Sequence, residues 1–446
     1  MIRTSSALRH FSRLATAVAA GLALLALSGC KLAEVFNLSG PQSTMVTAGP
    51  VAAKQWDLFM VTVYVTTFIF IVTGAVLAYA QIKFRARSEA DEHAAPPAEA
   101  GHGNPLVEIG LIAGSVALLV IIAIPTVQGI WYGYDVPEEE KANAIEVNAT
   151  GYQWWFKFEY PAELVQLPGG GEAPLVTGNE LVVPAGTPVR VNLRTVDVIH
   201  SFWLPKLAGK VDMMPNRANH LWFKAEKPGY FYGQCAEYCG ESHAIMKFRV
   251  VALSPSDYAR WLANQKQPAR TVTAQSLAAE AATPRVQFAS LKDTAPGSTF
   301  SSSPEFDADP FAGWQAKQQP EAGENASLIN EGRKLFAAKQ CVNCHTVRGH
   351  EGAGVTAPDL THIGARTSIA AGVLENSAER LHQWLTNPEY FKPGNKMYHG
   401  VGRMQGYLKL DEEGRPVKDA DGNLVRNITL TGAEIDALVA YLQSLK

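Results

Sequence analysis

The chain has 446 residues, of which 47% are hydrophobic and 18% charged, and its formal net charge is −3. This length is enough for two or three domains, and there is no basic excess that would indicate nucleic-acid binding. Each of the five cysteines falls in one of three motifs described below, so none remains for a structural disulfide.

The N-terminus is typical of a secretory leader, because three arginines precede an apolar run from 14 to 27. The run ends in Leu-Ser-Gly-Cys30, which resembles a bacterial lipobox. We therefore expect a lipoprotein-type signal peptide over 1–29 and a lipidated Cys30 at the start of an exported segment, 30–55. The alternative is an ordinary leader with an incidental cysteine, or an uncleaved first helix.

Two long and nearly uncharged apolar stretches follow, at 58–82 and 109–131. Each exceeds the roughly 20 residues that a helix needs to cross a bilayer core of about 30 Å. They predict a transmembrane hairpin over 56–132, whereas buried core helices would be unusually long. Lys83 and Arg85 directly follow the first stretch, which places the connecting loop in the cytoplasm and the later residues outside a bacterial plasma membrane, on the periplasmic or extracellular side.

A cluster of metal-binding residue types lies near the middle of the chain. Cys235, Cys239, His243 and Met246 fall within twelve residues, and His200 lies 35 positions before the first of them. Two thiolates, two imidazoles and a thioether form a soft ligand set that suits copper better than a hard cation. A disulfide or half of a zinc site would account for the cysteines but not for the other three residues.

The region around this cluster has the pattern of an all-β domain. Val189, Val191 and Leu193 alternate with polar residues, which predicts a half-buried strand. Two aromatic runs, at 221–223 and 230–232, flank Lys-Pro-Gly and predict a hairpin. Many short strands separated by Gly/Pro turns favour a β-sandwich or barrel.

The spacing Cys-x3-Cys-x3-His-x2-Met with an upstream His resembles the binuclear copper site, CuA, of cytochrome c oxidase subunit II. The resemblance covers residues 41 to about 262 and includes Gly-Tyr-Gln-Trp-Trp at 151–155 and His-Ser-Phe-Trp at 200–203. It implies a cupredoxin-type Greek-key barrel over 140–262, in which Cys235 and Cys239 bridge two coppers.

The same resemblance implies the remaining ligands. His200 and His243 would be terminal ligands, Met246 a weak ligand of one copper, and the backbone carbonyl of Glu237 a weak ligand of the other. The Glu237 carboxylate is also expected to help bind magnesium at the contact with oxidase subunit I, since a hard oxygen donor suits that ion. A loop glutamate present only for its carbonyl is the alternative.

Further positions take their expected roles from this resemblance. Trp154 matches an exposed tryptophan through which electrons enter, the alternative being a tryptophan packed inside the barrel. Glu108 opens the second apolar stretch and matches a glutamate at the cytoplasmic mouth of a proton-uptake path, or is an interfacial residue without a role. Asp135 and the acidic residues at 138–140 resemble part of a docking face, or form a solvated turn.

Residues 263–325 are rich in Ala, Pro, Ser, Gln and Thr and lack a sustained apolar period, which predicts a flexible linker. The root-mean-square reach of such a coil would be roughly 40 Å. A domain tethered in this way has an effective concentration on the order of millimolar at its neighbour.

A second redox motif, Cys341-Val-Asn-Cys344-His345, has the C-x-x-C-H pattern of covalent haem attachment. Residues 326–446 resemble a class I cytochrome c, an all-α fold. The resemblance implies thioether bonds from the two cysteines to haem c, and His345 as the proximal iron ligand.

The expected first and last helices of this domain have a recognisable pattern. Residues 328–339 read as the first helix, and Thr431-Gly-Ala-Glu434 is a capping box that starts the last one. The resemblance implies that these helices cross where Gly332 permits a close approach and where Phe336 and Tyr441 pack.

The distal iron ligand has two candidates. Met397, in Lys-Pro-Gly-Asn-Lys-Met, resembles the loop that carries the distal methionine, and Met404 is the competitor. The stretch 407–427 departs from the family and predicts a surface insertion. The histidines at 350, 362, 382 and 399 are expected to be surface or packing residues, bis-histidine ligation being the alternative.

Two one-electron centres on one chain indicate an electron-transfer protein, and together they resemble subunit II of a caa3-type cytochrome c oxidase. This implies subunits I and III, the membrane, and a cytochrome or a quinol–cytochrome c reductase complex as electron donor. A stand-alone membrane-anchored electron-transfer lipoprotein and a nitrous oxide reductase-like CuA protein are the alternatives. A quinol oxidase subunit II would lack the copper ligands.

Overall fold

The computed structural model of the chain describes residues 40–88, 104–167, 170–282, 310–401 and 404–446. The predicted signal peptide and Cys30 lie outside these residues.

Two long apolar helices lead the described part of the chain, α1 (Pro50–Lys83) and α2 (Pro105–Tyr134). The Asn104 side chain accepts a hydrogen bond from the backbone N–H of Leu106, and Pro105 occupies the first turn, which together start α2. In the most apolar 18-residue stretch of each helix, only 6% of the residues of α1 and 0% of those of α2 are buried. Both helices are therefore not core helices, and each is long and apolar enough to cross a membrane.

Ten strands form two five-stranded sheets after α2 and a short helix α3 (Glu138–Lys141). The first sheet has the order β3-β2-β1-β5-β8 and the second β4-β10-β9-β6-β7. The strands are β1 (Ile145–Tyr152), β2 (Trp155–Gln166), β3 (Glu172–Gly178), β4 (Glu180–Pro184), β5 (Val189–Thr195), β6 (His200–Trp203), β7 (Lys210–Met213), β8 (Asn219–Phe223), β9 (Gly229–Cys235) and β10 (Lys247–Leu253).

The predicted alternation of β5 is confirmed, because Val189, Val191 and Leu193 are fully buried. The predicted hairpin between β8 and β9 is wrong. β8 pairs with β5 in the first sheet, whereas β9 pairs with β10 and β6 in the second. The Lys-Pro-Gly turn thus connects a strand of one sheet to a strand of the other. Which strands pair depends on contacts distant in the sequence, so the turn residues alone do not determine it.

Aromatic side chains fill the space between the two sheets. Phe202 and Phe248 stack with ring centroids 4.5 Å apart, and Phe156 meets Phe248 edge-on at 4.9 Å. These rings are fully buried, so the sheets form one apolar core of the kind expected for a β-sandwich.

Parts of the stretch 263–325 differ from the flexible coil expected there. After α4 (Pro255–Gln265), the structure has α5 (Ala274–Ala282) and α6 (Pro310–Lys317). Trp314 on α6 is fully buried in the core of the β-domain, and its indole N–H donates to the Glu180 carboxylate at 3.1 Å. Trp314 and the buried Phe311 thus anchor this segment to the β-domain, and the composition of the stretch does not reveal such individual contacts.

The C-terminal part is helical, and its predicted helix crossing is present. Its helices are α7 (Ala326–Ala338), α8 (Ala378–Thr386), α9 (Pro388–Phe391), α10 (Lys396–His399) and α11 (Gly432–Ser444), with a two-stranded pair, β11 (Ser368–Ile369) and β12 (Leu374–Glu375). A Cβ on Gly332 would lie 1.9 Å from the carbonyl oxygen of Ala437, so only glycine fits there. The rings of Phe336 and Tyr441 pack with their centroids 5.6 Å apart. The Thr431–Glu434 capping box forms as predicted.

Candidate redox-metal sites

The copper-ligand candidates meet at one end of the second sheet. Cys235 ends β9, and the loop to β10 carries Cys239, a 3-10 turn that begins at His243, and Met246 directly before β10. His200 starts β6, which pairs with β9 so that Phe202 lies opposite Cys235. Strand pairing therefore brings the distant histidine to the loop.

The ligand atoms lie at distances that suit shared metal ions. The Sγ atoms of Cys235 and Cys239 are 3.7 Å apart, and both thiols are free and not joined in a disulfide. Cys235 Sγ lies 3.9 Å from Nδ1 of His200, and Cys239 Sγ lies 3.6 Å from Nδ1 of His243. The Met246 sulfur is 3.9 Å from Cys239 Sγ. This set of soft donors fits copper.

The backbone carbonyl of Glu237 also belongs to the cluster, since its oxygen lies 3.2 Å from Cys235 Sγ. Its side chain is half-buried. The ligand atoms of His200, Cys235 and Cys239, all three buried, lie within 4.8 Å of one another. The structure thus brings together the five residues of the motif and the Glu237 carbonyl that the family resemblance implies.

The two cysteine thiols affect each other's ionisation. A hydrogen bond with Cys239, helped by His200, lowers the pKa of Cys235. The same hydrogen bond, together with burial, raises the pKa of Cys239. Cys235 is therefore the cysteine that more readily becomes a thiolate, the form that binds a metal.

Asp197 is a functional residue that the motif did not identify. Its Oδ1 lies 2.8 Å from Nε2 of His200 and thereby fixes Nδ1 as the nitrogen available to a metal. Burial opposes the charged form, but hydrogen bonds from His200, Gln153 and Val198 lower the pKa of Asp197 to about 2. The signal in the sequence is a carboxylate three residues before a histidine that is a candidate metal ligand.

The haem motif lines a cavity of about 610 Å³. Cys341, Cys344 and His345 share its wall with apolar side chains of the cytochrome-like part. His345 Nδ1 lies 2.8 Å from the carbonyl oxygen of Pro358, which leaves Nε2 as the nitrogen available to iron. The cavity and its three motif residues therefore fit covalent haem. Further wall residues are Ile363, Trp384, Leu385, Tyr407, Leu438 and Leu442.

The two methionine candidates differ in position. Met397 lines the same cavity as His345. Met404 is absent from that wall, and its sulfur accepts a hydrogen bond from the Thr356 hydroxyl at 3.9 Å. Among the described residues, the geometry thus favours Met397 as the distal ligand.

The four other histidines of this part do not line the cavity. His350 contacts the Tyr441 hydroxyl at 2.9 Å, and His362 contacts the carbonyl oxygen of Lys446 at 2.8 Å. His382 and His399 lie near Asp436 and Glu389. They therefore have packing or surface contacts.

Trp154 is buried, with 8% of its surface exposed, whereas the sequence led us to expect an exposed side chain. The cytochrome-like part covers it: a Cβ on Gly394 would lie 2.9 Å from the indole ring. Trp154 also lines the haem cavity and donates from Nε1 to the carbonyl oxygen of Cys239 at 3.0 Å. One tryptophan therefore contacts both candidate sites.

The remaining candidates lie away from this junction. Glu108 is exposed in the first turn of α2. Asp135 pairs with Arg190, and Glu140 pairs with Lys224 at 2.6 Å. Part of the acidic group is thus neutralised by cations of this chain.

Comparisons with known proteins identify two regions. Residues 145–253 match the family model for cytochrome c oxidase subunit II, periplasmic domain, and residues 329–446 match the model for cytochrome c.

Several of the similar proteins are named cytochrome c oxidase subunit 2. The cytochrome c oxidase subunit 2 of Bacillus subtilis (strain 168) is 30% identical over 369 residues, which cover 80% of this chain and 85% of that protein. The cytochrome c oxidase subunit 2 of Alkalihalophilus pseudofirmus is 29% identical over 425 residues, which cover 95% and 94%. The periplasmic domain of subunit II of cytochrome oxidase (CoxB) of Bradyrhizobium japonicum, a crystal structure, is 36% identical, with a TM-score of 0.24, and covers 27% of this chain and 93% of that one.

Proposed function

This chain belongs to the cytochrome c oxidase subunit II family, and we propose that it passes electrons from a covalent haem c through a binuclear copper site, CuA, to oxidase subunit I. One observation carries this proposal: a single tryptophan, Trp154, lines the haem cavity and hydrogen-bonds the backbone of the copper ligand Cys239. Subunit I, in which oxygen is reduced, is a separate polypeptide.

Haem and copper, when bound, each carry one electron at a time. The chain's own residues hold these groups at fixed positions. His200, clamped by Asp197, keeps its orientation, and the pair of cysteine thiols 3.7 Å apart offers two sulfurs to two metal ions. Each sulfur has its own imidazole neighbour, which supports two copper ions rather than one.

In the cytochrome part, we propose His345 as the proximal ligand, Met397 as the distal ligand, and Cys341 and Cys344 as the thioether positions. The hydrogen bond to Pro358 sets the tautomer of His345. A thioether as the distal ligand would raise the haem potential. The short path from the cavity wall through Trp154 to the copper loop supports transfer within the chain.

Contacts with the rest of the oxidase follow from the same family membership. The half-buried Glu237 is proposed to bind magnesium with subunit I through its carboxylate. Glu108 is proposed at the mouth of a proton-uptake path, and Cys30 as a lipid-bearing N-terminus. Both apolar helices would cross the membrane with the metal domains outside, beside subunits I and III. A cytochrome or a quinol–cytochrome c reductase complex would be the donor.

The full-length chain, produced in a host that attaches haem c and supplies copper, tests the proposal. We expect haem c absorption bands, two coppers per haem, and a near-infrared band from a mixed-valence copper pair. One copper per haem without that band would refute the binuclear site. Failure of the chain to co-purify with a haem-a polypeptide would refute its place in the oxidase.

A further inference from the structure

The loop that carries Met397 lies directly on the copper loop. The Ser242 hydroxyl donates to the carbonyl oxygen of Pro393 at 2.6 Å, and Lys396 Nζ lies 3.3 Å from Asp197. Ser242 is the neighbour of His243, and Asp197 contacts His200. The haem-ligand loop is thus bonded to residues that border two copper ligands.

Lys392, at the start of this loop, has an unusual environment. It is 4% exposed, although lysine is rarely buried. Its Nζ donates to the carbonyl oxygen of Ile245 and to that of Ala370, each at 3.1 Å. Ile245 belongs to the copper loop, between His243 and Met246, whereas Ala370 belongs to the cytochrome part. One ammonium group therefore joins the two domains beside the copper ligands.

Burying an ammonium group is costly unless its donors are paired. The two carbonyls offset this cost only while the domains stay in this arrangement, because one of them belongs to the copper loop. Burial, with a smaller contribution from Lys247, lowers the pKa of Lys392 to about 7. Lys392 also lines the haem cavity, so its position links the cavity, the loop and the copper site.

We infer that Lys392 is a positioning residue that fixes the Met397 loop on the copper loop and so holds the cytochrome domain in a single electron-transfer pose. This inference rests on the proposed function, since it assumes that haem occupies the cavity and copper occupies the loop. In this arrangement the cytochrome domain is docked on the copper domain and does not move freely on a flexible linker.

The Gly394 contact is consistent with this role. Gly394 has a φ of 74° and no room for a Cβ, because the Glu241 carboxylate and the Trp154 ring lie against it. The loop must therefore approach the tryptophan closely, and Lys392, two residues earlier, sets that approach.

The full-length chain with both groups bound provides the test. In the oxidised chain, magnetic dipolar coupling between the haem iron and the copper pair reports the distribution of distances between them. We expect a single narrow distribution for the unchanged chain and for Lys409→Met, a matched control on an exposed lysine. In Lys392→Met, the carbonyls of Ile245 and Ala370 lose their shared donor, so the ratio of docked to undocked chains should fall by about tenfold and the distribution should broaden.

The outcomes separate the inference from the proposed function. Haem c bands and the copper signal must be unchanged in Lys392→Met, since the residue is not a ligand. A distribution as narrow as that of the unchanged chain would overturn the inference, and so would loss of either metal signal in this variant alone. If Lys392→Met does not accumulate, Lys392→Gln, whose shorter amide cannot reach both carbonyls, replaces it with the same expectations. Absence of the two centres from the unchanged chain would refute the proposed function instead.

Discussion

The indole Nε1 of Trp154 lies 3.0 Å from the carbonyl oxygen of Cys239 and donates a hydrogen bond to it. The other edge of this side chain meets the cytochrome loop at Gly394. The side chain therefore lies between the haem cavity and the candidate copper ligands, in the position that the proposed electron path requires.

Trp154→Ala should slow electron transfer from haem c to copper while leaving the spectra of both centres unchanged, because we propose this residue as a conduit and not as a ligand. Trp154→Phe keeps an aromatic ring but loses the hydrogen bond. Its transfer rate should therefore lie between that of the unchanged chain and that of Trp154→Ala. Flash-reduction kinetics on the intact chain measures this step. The rate should be independent of protein concentration and only weakly dependent on salt, because charge steering is not needed between docked domains.

The matched control is Trp222→Phe, since Trp222 is also buried but bonds to the carbonyl oxygen of Tyr132 in α2. It should leave the transfer rate unchanged. An unaltered rate in Trp154→Ala would place the electron path elsewhere, and a rate that scales with concentration would mean that the haem serves a second molecule.

Cys239→Ser replaces a soft thiolate in the copper cluster with a hard hydroxyl. We expect loss of the mixed-valence copper pair and retention of haem c, because Cys239 lies outside the haem motif. Metal analysis together with electron paramagnetic resonance measures both. Two coupled coppers in this variant would show that the cluster has been assigned wrongly. Ser201→Ala, on the buried strand beside His200, is a control that should keep both coppers.

Local patterns predicted several of the individual elements. The alternation of Val189 and Val191 and the Thr431 capping box depend on neighbouring residues, so they can be recognised in the sequence. The ligand spacing likewise singled out the cluster. The connection from β8 in the first sheet to β9 in the second was not predictable in this way, because strand pairing depends on contacts across the whole domain.

The junction between the domains could not be read from the sequence at all. Lys392 and Ile245 are 147 positions apart, and Trp314 and Glu180 are 134 apart. Each contact depends on two domains meeting in one orientation, and that orientation leaves no periodic pattern in either partner. The burial of Trp154 follows from the same contact and was missed for the same reason.

The distal ligand can be decided by two substitutions. Met397→Ala should abolish the weak sulfur-to-iron charge-transfer band of the oxidised spectrum and lower the haem potential, because a thioether favours reduced iron. Met404→Ala should keep the band, since that sulfur bonds to Thr356 and does not line the cavity. Optical spectra and redox titration of the two variants measure this difference, and the reverse pattern would transfer the role to Met404.

Asp197→Asn should weaken copper binding by about 10–100-fold, because a neutral amide holds the His200 imidazole less firmly than a carboxylate does. Competition with a copper chelator measures the affinity. Asp421→Asn, on the exposed surface insertion, is the control and should leave the affinity unchanged. Equal affinities in both variants would show that His200 keeps its orientation without the carboxylate.

The charge of Asp197 also predicts how this effect depends on pH. Its pKa is lowered from 3.8 to about 2 in the folded chain, so the carboxylate stabilises the fold fully above its ordinary pKa. That contribution is lost as the pH falls from about 4 to about 2, where the folded state also takes up the proton. The difference in unfolding free energy between the unchanged chain and Asp197→Asn should therefore shrink as the pH falls through that acidic window. Urea unfolding of the metal-free chain at several pH values measures it, and a difference that persists unchanged to pH 2 would mean that the stabilisation comes from packing and not from the charge.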